Sequence, residues 1–451
     1  MRQAILSRFP SLALEPDEKA ALARWLLVWV VLANLAFSLM YLVGSPPRVS
    51  SIVIFGALGL FVRRMPWLIQ CAGFIAGLAY ALVSLLSALF NLPIYSLSRS
   101  VVFIGELNAF NSLEYMLIGV FLAGLVIAAF LALRKPRHFA DPRSLLLAAS
   151  AVAMVAAVDY YMTYGISGHY KRLQTADAPF SSAVSNAGLV PASAAPPRHV
   201  LLVMVESLGV PVDNAEMRRL IFERYNDPAV RSRFEVSTGT TTYFGSTTAG
   251  EMRELCGRWD DYYALVDQSD AGCLPARLAR QGFETSAYHS FDGDFFARSA
   301  WYPNVGFQNL IFRTDLLKAG AEVCGGVFPG ACDRDVPRQL AARLKAAEKP
   351  QFVYWLTVNS HLPVPANNNL NVDDCKRVSA KLAADYPMIC RQIAIWDSID
   401  AAIVKEITAA DFPPTDILLV GDHMPPYFDR KSRVQFAPDR VPWLLLKWRG
   451  N

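Results

Sequence analysis

HVLLVMVES (199–207) and TDILLVGDH (415–423) decide the fold. Each is a short, nearly uninterrupted apolar run that stops on an acid: Glu206 in the first, Asp422 followed by His423 in the second. Short apolar runs without polar alternation fit strands buried on both faces, which belong to parallel sheets covered by helices. ETSAYHSF (284–291), QFVYWLTVNSH (351–361) and VPWLLLKW (441–448) have the same character, and helical patterns at 274–281 and 336–347 fall among them. Strands alternating with helices predict an α/β domain with a mainly parallel central sheet over 198–451. Ligands of such sheets bind beyond the C-terminal strand ends, where Glu206, Asp422 and His423 lie. An acid at one strand end and an Asp–His pair at another offer oxygen and nitrogen donors suited to zinc or manganese. Singly, Glu206 reads as a helix-capping acid and Asp422 as a turn residue; together they favour a metal site.

Between the two strands lies TGTTTYFGSTTAGEMREL (238–255), dense in hydroxyls and turning helical at about Ala249. A hydroxyl at a helix N-terminus sits in positive potential beside free N–H groups, which can hold a phosphate. Ser and Thr are also the favoured N-caps, so this stretch alone does not decide between chemistry and capping.

Upstream, the composition changes. The chain is 53% hydrophobic and 18% charged, and most of its apolar excess lies in the first 165 residues. A bilayer-spanning helix needs roughly 20 apolar residues. Segments 25–43, 67–90, 113–133 and 145–162 meet this, whereas 49–62 is short. Arg2, Arg8, Lys19 and Arg24 precede the first segment, Arg63 and Arg64 follow the short one, and Arg134, Lys135, Arg137 and Arg143 precede the last. If the short segment spans, all three basic clusters share one side, as the positive-inside rule requires. The expectation is a multi-span α-helical membrane domain over 1–165, with five helices, its N-terminus in the cytoplasm and the C-terminal domain outside. The stretch 91–112 reads either as a segment lying on the outer membrane surface or as a plain connecting loop. Residues 166–197, rich in Ala, Ser and Pro, read as a linker.

Six of the seven cysteines follow residue 250, in local pairs: Cys256 and Cys273, Cys324 and Cys332, Cys375 and Cys390. Without tight C-x-x-C spacing, disulfides are favoured over zinc ligation, which implies an oxidising compartment. Cys71 reads as a packed apolar residue. A net charge of +4 and the absence of a basic run interleaved with aromatics argue against nucleic acid as a partner.

VMVES with Glu206, GSTTAGE with its hydroxyls, TVNSHLP with His361 and VGDH with Asp422 and His423, in this order, resemble the alkaline phosphatase and sulfatase superfamily. The likeness is to its membrane branch of lipoteichoic acid synthase-like and phosphoethanolamine transferases, which carry five N-terminal spans and an extracytoplasmic sulfatase-like catalytic domain. The resemblance implies that Glu206, Thr247, Asp422 and His423 bind one divalent metal, zinc or manganese. Thr247 matches the family threonine in G-x-T-x-x-x-E and would be the nucleophile, with Ser246 and Thr248 as neighbouring alternatives. His361 would contact the phosphate or assist the leaving group. Arg298, in YHSFDGDFFARSAWYPNVGF (288–307), would fork a phosphate, while His289 is assigned a structural role. The implied reaction moves a phosphoethanolamine or phosphoglycerol head group from a phospholipid donor to a glycan or lipid acceptor, through a phospho-threonine, at the periplasmic face of the inner membrane.

Two rivals are weighed. Cys273-Leu-Pro-Ala-Arg277 fits C-x-P-x-R, which marks formylglycine formation in sulfatases, so a sulfatase-like hydrolase (a sulfatase or phosphodiesterase) is an alternative. A non-catalytic binding protein on the same fold is the other; the full set of ligand types argues against it.

Overall fold

The computed structural model describes residues 14–38, 41, 46–90, 94, 112–134, 138–163, 179–190, 198–366 and 368–450. Most of the 91–112 segment and much of the 166–197 linker lie outside the described residues. The chain divides into two compact units, residues 1–90 with 113–169, and residues 91–112 with 170–451.

The first unit contains helices α1 (Pro16–Ser38), α2 (Val49–Val62), α3 (Trp67–Phe90), α4 (Leu113–Leu133) and α5 (Pro142–Thr163). Four of them, all but α2, are long and apolar enough to cross a membrane. With 14 residues, α2 rises about 21 Å at 1.5 Å per residue, short of a hydrocarbon core about 30 Å thick. The first helix begins at Pro16 rather than at the expected residue 25. Pro16 occupies its first turn, where a missing N–H costs nothing, and Asp17 and Glu18 favour that end electrostatically.

Close packing inside this unit rests on small residues. A Cβ on Gly59 would lie 2.4 Å from the Trp29 ring, and one on Gly56 would lie 2.5 Å from Val152. Phe74 meets Trp29 and Phe55 edge-on in the interior, and Trp29 and Phe55 are tilted to each other. The outward faces stay apolar: Phe61 is 72% exposed, Val120 71% and Leu68 69%. Helices apolar on both inner and outer faces belong in a lipid solvent. In the interior, Arg48 and Asp159 form a charged pair: Asp159 accepts from the Arg48 backbone N–H at 2.6 Å and from Tyr41, and the Arg48 Nη2 lies 3.5 Å from its carboxylate, while the Arg48 Nε is buried without a hydrogen-bond partner.

The second unit is built on a seven-stranded sheet in the order β2-β9-β8-β1-β7-β3-β4. The strands are β1 (His199–Val205), β2 (Phe234–Thr242), β3 (Glu284–His289), β4 (Asn309–Ile311), β7 (Gln351–Leu356), β8 (Thr415–Gly421) and β9 (Arg440–Trp448). Between β4 and β7, the short strands β5 (Val323–Cys324) and β6 (Gly330–Ala331) pair with each other. The run β8-β1-β7-β3-β4 is parallel throughout, and β9 and β2 extend it antiparallel at one edge. The mainly parallel sheet is therefore present. Strand β2 was not expected. It is an edge strand of Phe234–Thr242, and its threonines suit a half-exposed pleated surface.

Central strands β1, β7 and β8 are buried along nearly their whole length. Helices α8 (Leu274–Arg280), α9 (Arg298–Asn304), α10 (Val336–Ala346) and α11 (Pro387–Ile407) run between strands. Three disulfides, 256–273, 324–332 and 375–390, join the pairs expected from spacing, and Cys71 is free and buried.

The linker is partly structured. Residues 183–187 form the short helix α6 (Ala183–Ala187), capped by the Ser182 hydroxyl. Its first N–H groups, from Ala183 and Val184, donate to the Glu254 carboxylate at 3.1 and 2.8 Å.

Candidate active site

Strands β1 and β8 are parallel neighbours, and Val205 faces Gly421 in their register. The next residues along each, Glu206 and Asp422, therefore emerge side by side. Strand β7 flanks β1 on its other side, with Leu356 opposite Met204. Its continuation clamps the Glu206 backbone. The Glu206 N–H donates to Thr357 Oγ1 at 2.9 Å, and Ser360 Oγ donates to the Glu206 carbonyl at 2.7 Å.

Ser207, which sequence reasoning missed, orients both acids. It holds a left-handed backbone with φ of 56°, a costly conformation for a residue other than glycine. That turn lets its N–H donate to Asp422 Oδ1 at 2.7 Å while its hydroxyl donates to Glu206 Oε1 at 2.7 Å. The only sequence signal was its place directly after the strand-end acid.

Helix α7 (Thr247–Leu255) supplies the hydroxyl. It begins at Thr247, two residues before the expected start, because Ser246 is extended and serves as the cap residue. Thr247 Oγ1 lies 3.4 Å from Glu206 Oε2 and 3.4 Å from His423 Nε2. Thr248 turns elsewhere, donating to Asp261 Oδ2 at 3.3 Å, and its hydroxyl lies 3.2 Å from that of Ser246. Of the three neighbouring hydroxyls, Thr247 is the one within 3.4 Å of both Glu206 Oε2 and His423 Nε2.

His423 Nδ1 lies 2.9 Å from the Met424 carbonyl. A carbonyl only accepts, so Nδ1 carries the proton and Nε2 presents a lone pair. Nε2 is 3.4 Å from Asp422 Oδ2 and 3.6 Å from Glu206 Oε1. Asp422 Oδ1 accepts from two backbone N–H groups, those of Ser207 and His423, whereas the buried Oδ2 has no hydrogen-bond partner.

One donor atom each from Glu206, Asp422 and His423 lies within 4.8 Å of the others. A bare buried carboxylate oxygen is costly unless a cation meets it. Burial and then the Glu206 charge push the Asp422 carboxyl up to about 7. Burial alone would lower His423, but the charges of Asp422 and Glu206 raise it. Two carboxylates this close repel each other, and a cation between them relieves that repulsion. Two carboxylates and an imidazole fit zinc or manganese. Among the described residues, a second trio of Glu322, Cys332 and Asp335 does not fit a metal, because the Cys332 sulfur is bonded to Cys324.

His361 belongs to the same neighbourhood. Its Nδ1 bonds the Leu362 carbonyl at 2.8 Å, leaving Nε2 as an acceptor. Burial, then the His423 charge, lowers it to about 4, so it is neutral near pH 7. Phe328 stands edge-on to its ring at 4.7 Å.

Arg298 departs from expectation. It was expected to fork a phosphate, but its guanidinium is fully buried and committed to the protein. Nε and Nη2 bond Glu251 at 3.1 and 2.8 Å, and Nη1 bonds the Phe295 carbonyl at 3.0 Å. Tyr302 and Tyr354 hydroxyls complete the set around Glu251. Glu251 lies one turn along α7 from Thr247, so this network positions the helix. His289 is buried with Nδ1 on the Leu356 carbonyl, and its Nε2 has no hydrogen-bond partner.

The C-x-P-x-R match is disarmed. Cys273 is buried and joined to Cys256, so its thiol is not available for conversion to formylglycine.

A family model described as Sulfatase matches residues 198–444. A curated relative from Rhizobium meliloti (strain 1021), "Putative cyclic beta-1,2-glucan modification protein", is 26% identical over 151 residues, 32% of this chain and 22% of that protein. The match therefore spans about a fifth of the relative's length. Among solved structures, the chain is similar to the integral membrane lipooligosaccharide phosphoethanolamine transferase A (EptA) from Neisseria meningitidis. That alignment has 12% identity, covers 96% of this chain and 88% of that one, and has a TM-score of 0.43. The lipoteichoic acid synthase LtaP from Listeria monocytogenes aligns at 15% identity over 56% of this chain and 66% of that one, with a TM-score of 0.41. The Streptococcus pyogenes phosphoglycerol transferase GacH aligns at 15% identity over 55% and 68%, with a TM-score of 0.39.

Proposed function

Since this chain belongs to the Sulfatase family, we propose that it is a membrane-bound, metal-dependent transferase that moves a phospho-head-group from a phospholipid to a cell-surface glycan or lipid. The head group in this reading is phosphoethanolamine or phosphoglycerol. The observation that carries the proposal is the Thr247 hydroxyl, at the start of α7 and 3.4 Å from both Glu206 Oε2 and His423 Nε2.

Glu206, Asp422, His423 and Thr247 would hold one divalent ion, zinc or manganese. Bound there, it supplies Lewis acidity, lowering the pKa of the threonine hydroxyl and withdrawing charge from the phosphoryl oxygens. The residues of the chain do the rest. Thr247 Oγ attacks phosphorus, forming the Oγ–P bond as the P–O bond to diacylglycerol breaks. The threonine proton leaves, and the departing diacylglycerol oxygen gains one. Neutral His361, with Nδ1–H held by Leu362, presents the Nε2 lone pair that accepts a proton and returns it to the leaving oxygen. In the second half, an acceptor hydroxyl oxygen bonds phosphorus as the Oγ–P bond breaks, and the acceptor's proton passes to Thr247 Oγ, which is freed. The N–H groups at the start of α7 favour the phosphate's negative charge.

The name of the Rhizobium relative supports a glycan on the acceptor side. The sulfatase alternative is disfavoured by the Cys256–Cys273 disulfide. Mass spectrometry of the full chain incubated with phospholipid tests the proposal. The expected result is a phosphoethanolamine or phosphoglycerol adduct on the peptide containing Thr247. Thr247→Ala should lose both adduct and turnover while keeping most metal affinity, since three ligands remain. Wild-type turnover in that variant would reject Thr247 as nucleophile.

A further inference from the structure

Asp333 is buried and follows Cys332, which ends the loop closed by the Cys324–Cys332 disulfide. Its carboxylate faces the ends of two neighbouring strands. Oδ2 accepts from the Val358 and Asn359 N–H groups at 2.9 and 2.7 Å, just beyond β7. Oδ1 accepts from Ser290 Oγ at 2.5 Å, just beyond β3. The Asn359 side chain ties the same two segments from the other side. Its Oδ1 accepts from the Asp333 N–H at 2.7 Å, and its Nδ2 donates to the Ala331 carbonyl at 3.3 Å. All of these partners are neutral, and burial pushes the Asp333 carboxyl up to about 6 in spite of them. A buried carboxylate held by neutral groups is costly, and a position that served packing alone would be apolar.

What Asp333 grips is the turn that presents His361. The His361 N–H donates to the Val358 carbonyl at 3.0 Å, so the histidine hangs on the peptide units that the carboxylate holds. From the same disulfide-closed loop, Phe328 stands edge-on to the His361 ring at 4.7 Å. Gly330 lets this loop come so close, since a Cβ there would meet the Ser290 carbonyl at 2.2 Å. The segment 324–333 thus reaches His361 twice, at its backbone through Asp333 and at its ring through Phe328.

We propose that Asp333 is a positioning residue that acts through His361, fixing the ring where it can take the Thr247 proton and pass it to the departing oxygen. This rests on the transferase reading of the Thr247 centre. Asp333 itself touches neither substrate nor metal ligand; its effect is on where the imidazole stands.

The test uses the full chain in detergent with two kinds of donor. One is a phospholipid, phosphatidylethanolamine or phosphatidylglycerol; the other is the para-nitrophenyl ester of the same phospho-head-group. The diacylglycerol oxygen needs a proton as it leaves, whereas nitrophenolate departs as a stable anion. With phospholipid, Asp333→Ala should lower kcat about 10²-fold and leave KM little changed, the scale of displacing a reacting group by roughly 1 Å. With the nitrophenyl ester it should stay within a few-fold of wild type. Metal affinity should also hold, because Thr357 and Ser360 still grip the Glu206 backbone. Asp333→Asn should restore turnover, since its carbonyl can accept both N–H groups and its amide can donate to Ser290 Oγ. Asp333→Ala combined with His361→Ala should be no slower than His361→Ala alone. Asn359→Ala cuts the return contact and carries the test if Asp333→Ala does not fold. Equal losses on the two donors, multiplied losses in the double variant, or a fall in metal affinity as large as that in kcat overturns the proposal. The placement is also read without turnover. In NMR spectra of the histidine-labelled chain, the His361 ring signal should move in Asp333→Ala and hold in Asp333→Asn. An unmoved signal overturns the positioning role whatever the activity. A wild-type chain that transfers nothing from phospholipid removes the transferase reading instead, and a moved signal then still assigns the placement of His361 to Asp333.

Discussion

Asp422 illustrates how much one residue's role depends on the pairing of single atoms. Its Oδ1 is saturated by two N–H groups, and its Oδ2 has no hydrogen-bond partner, which gives a strand-end acid one open oxygen with a defined direction. Asp400 shows the opposite use of a buried acid. It lies on α11, accepts the Tyr225 hydroxyl at 2.9 Å, and burial pushes its carboxyl up to about 7, with Asp397 adding to the rise. The folded state therefore binds this proton more tightly than the unfolded chain does. Its contribution to stability is complete below the unfolded value near 3.8 and is lost as pH rises through about 7. Asp400→Asn keeps an acceptor for Tyr225 and removes the ionisation. The variant should melt above wild type at pH 8, and that advantage should vanish near pH 4. Parallel melting curves at the two pH values would refute this.

Among the elements, α7 concentrates the most function in the fewest residues. Thr247 opens it. Gly250 lets it lie against Asp422, whose backbone a Cβ there would meet at 3.1–3.2 Å. Glu251 ties it to Arg298. Arg253, buried, donates to the Gly421 and Asp422 carbonyls at 2.8 and 3.2 Å, and pairs with Glu254, which in turn holds α6. One helix thus braces Thr247, the Asp422 backbone and the segment leading into the domain. Arg253→Lys retains the charge but not the fork that reaches two carbonyls and a carboxylate together. Metal affinity, measured by titration on the full chain, should fall roughly 10-fold, the usual scale for losing a group that orients a ligand. Wild-type affinity in a folded Arg253→Lys protein would show that the clamp does not orient Asp422.

At the scale of the whole chain, the two units differ in the solvent they are built for. The helical unit exposes apolar side chains along most of its helices, whereas the sheet unit exposes few among the described residues: Ile94, Phe180, Val212, Val323 and Val434. In the proposed topology all five helices span, including the 14-residue α2, because only then do Arg24, Arg63 and Arg143 share a side. A short span is accommodated by local thinning of the bilayer. Reporter fusions decide it: one after Val62 should report cytoplasm and one after Thr163 the outside. A cytoplasmic signal after Thr163 would remove both the five-span arrangement and the oxidising compartment in which the three disulfides form.

Hydrophobic pattern is a local property, and what depended on it was legible in the sequence. The buried strands ending in Glu206 and Asp422, the apolar helices and the cysteine pairs could all be read from runs and spacings. Even here, edge strand β2 was missed, because Thr-rich residues half exposed carry little apolar signal. The chemical types of the donors at the site were legible too, as residues. Their state was not. That Asp422 keeps one oxygen bare, that Ser207 bends to orient both acids, that Arg298 is spent on Glu251 rather than left for a ligand, and that the linker docks on Glu254, are decided by partners far away in the chain. Whether a polar atom is free to bind a ligand depends on which donors and acceptors the fold packs around it, and that count exists only once strands and helices distant in sequence have come together.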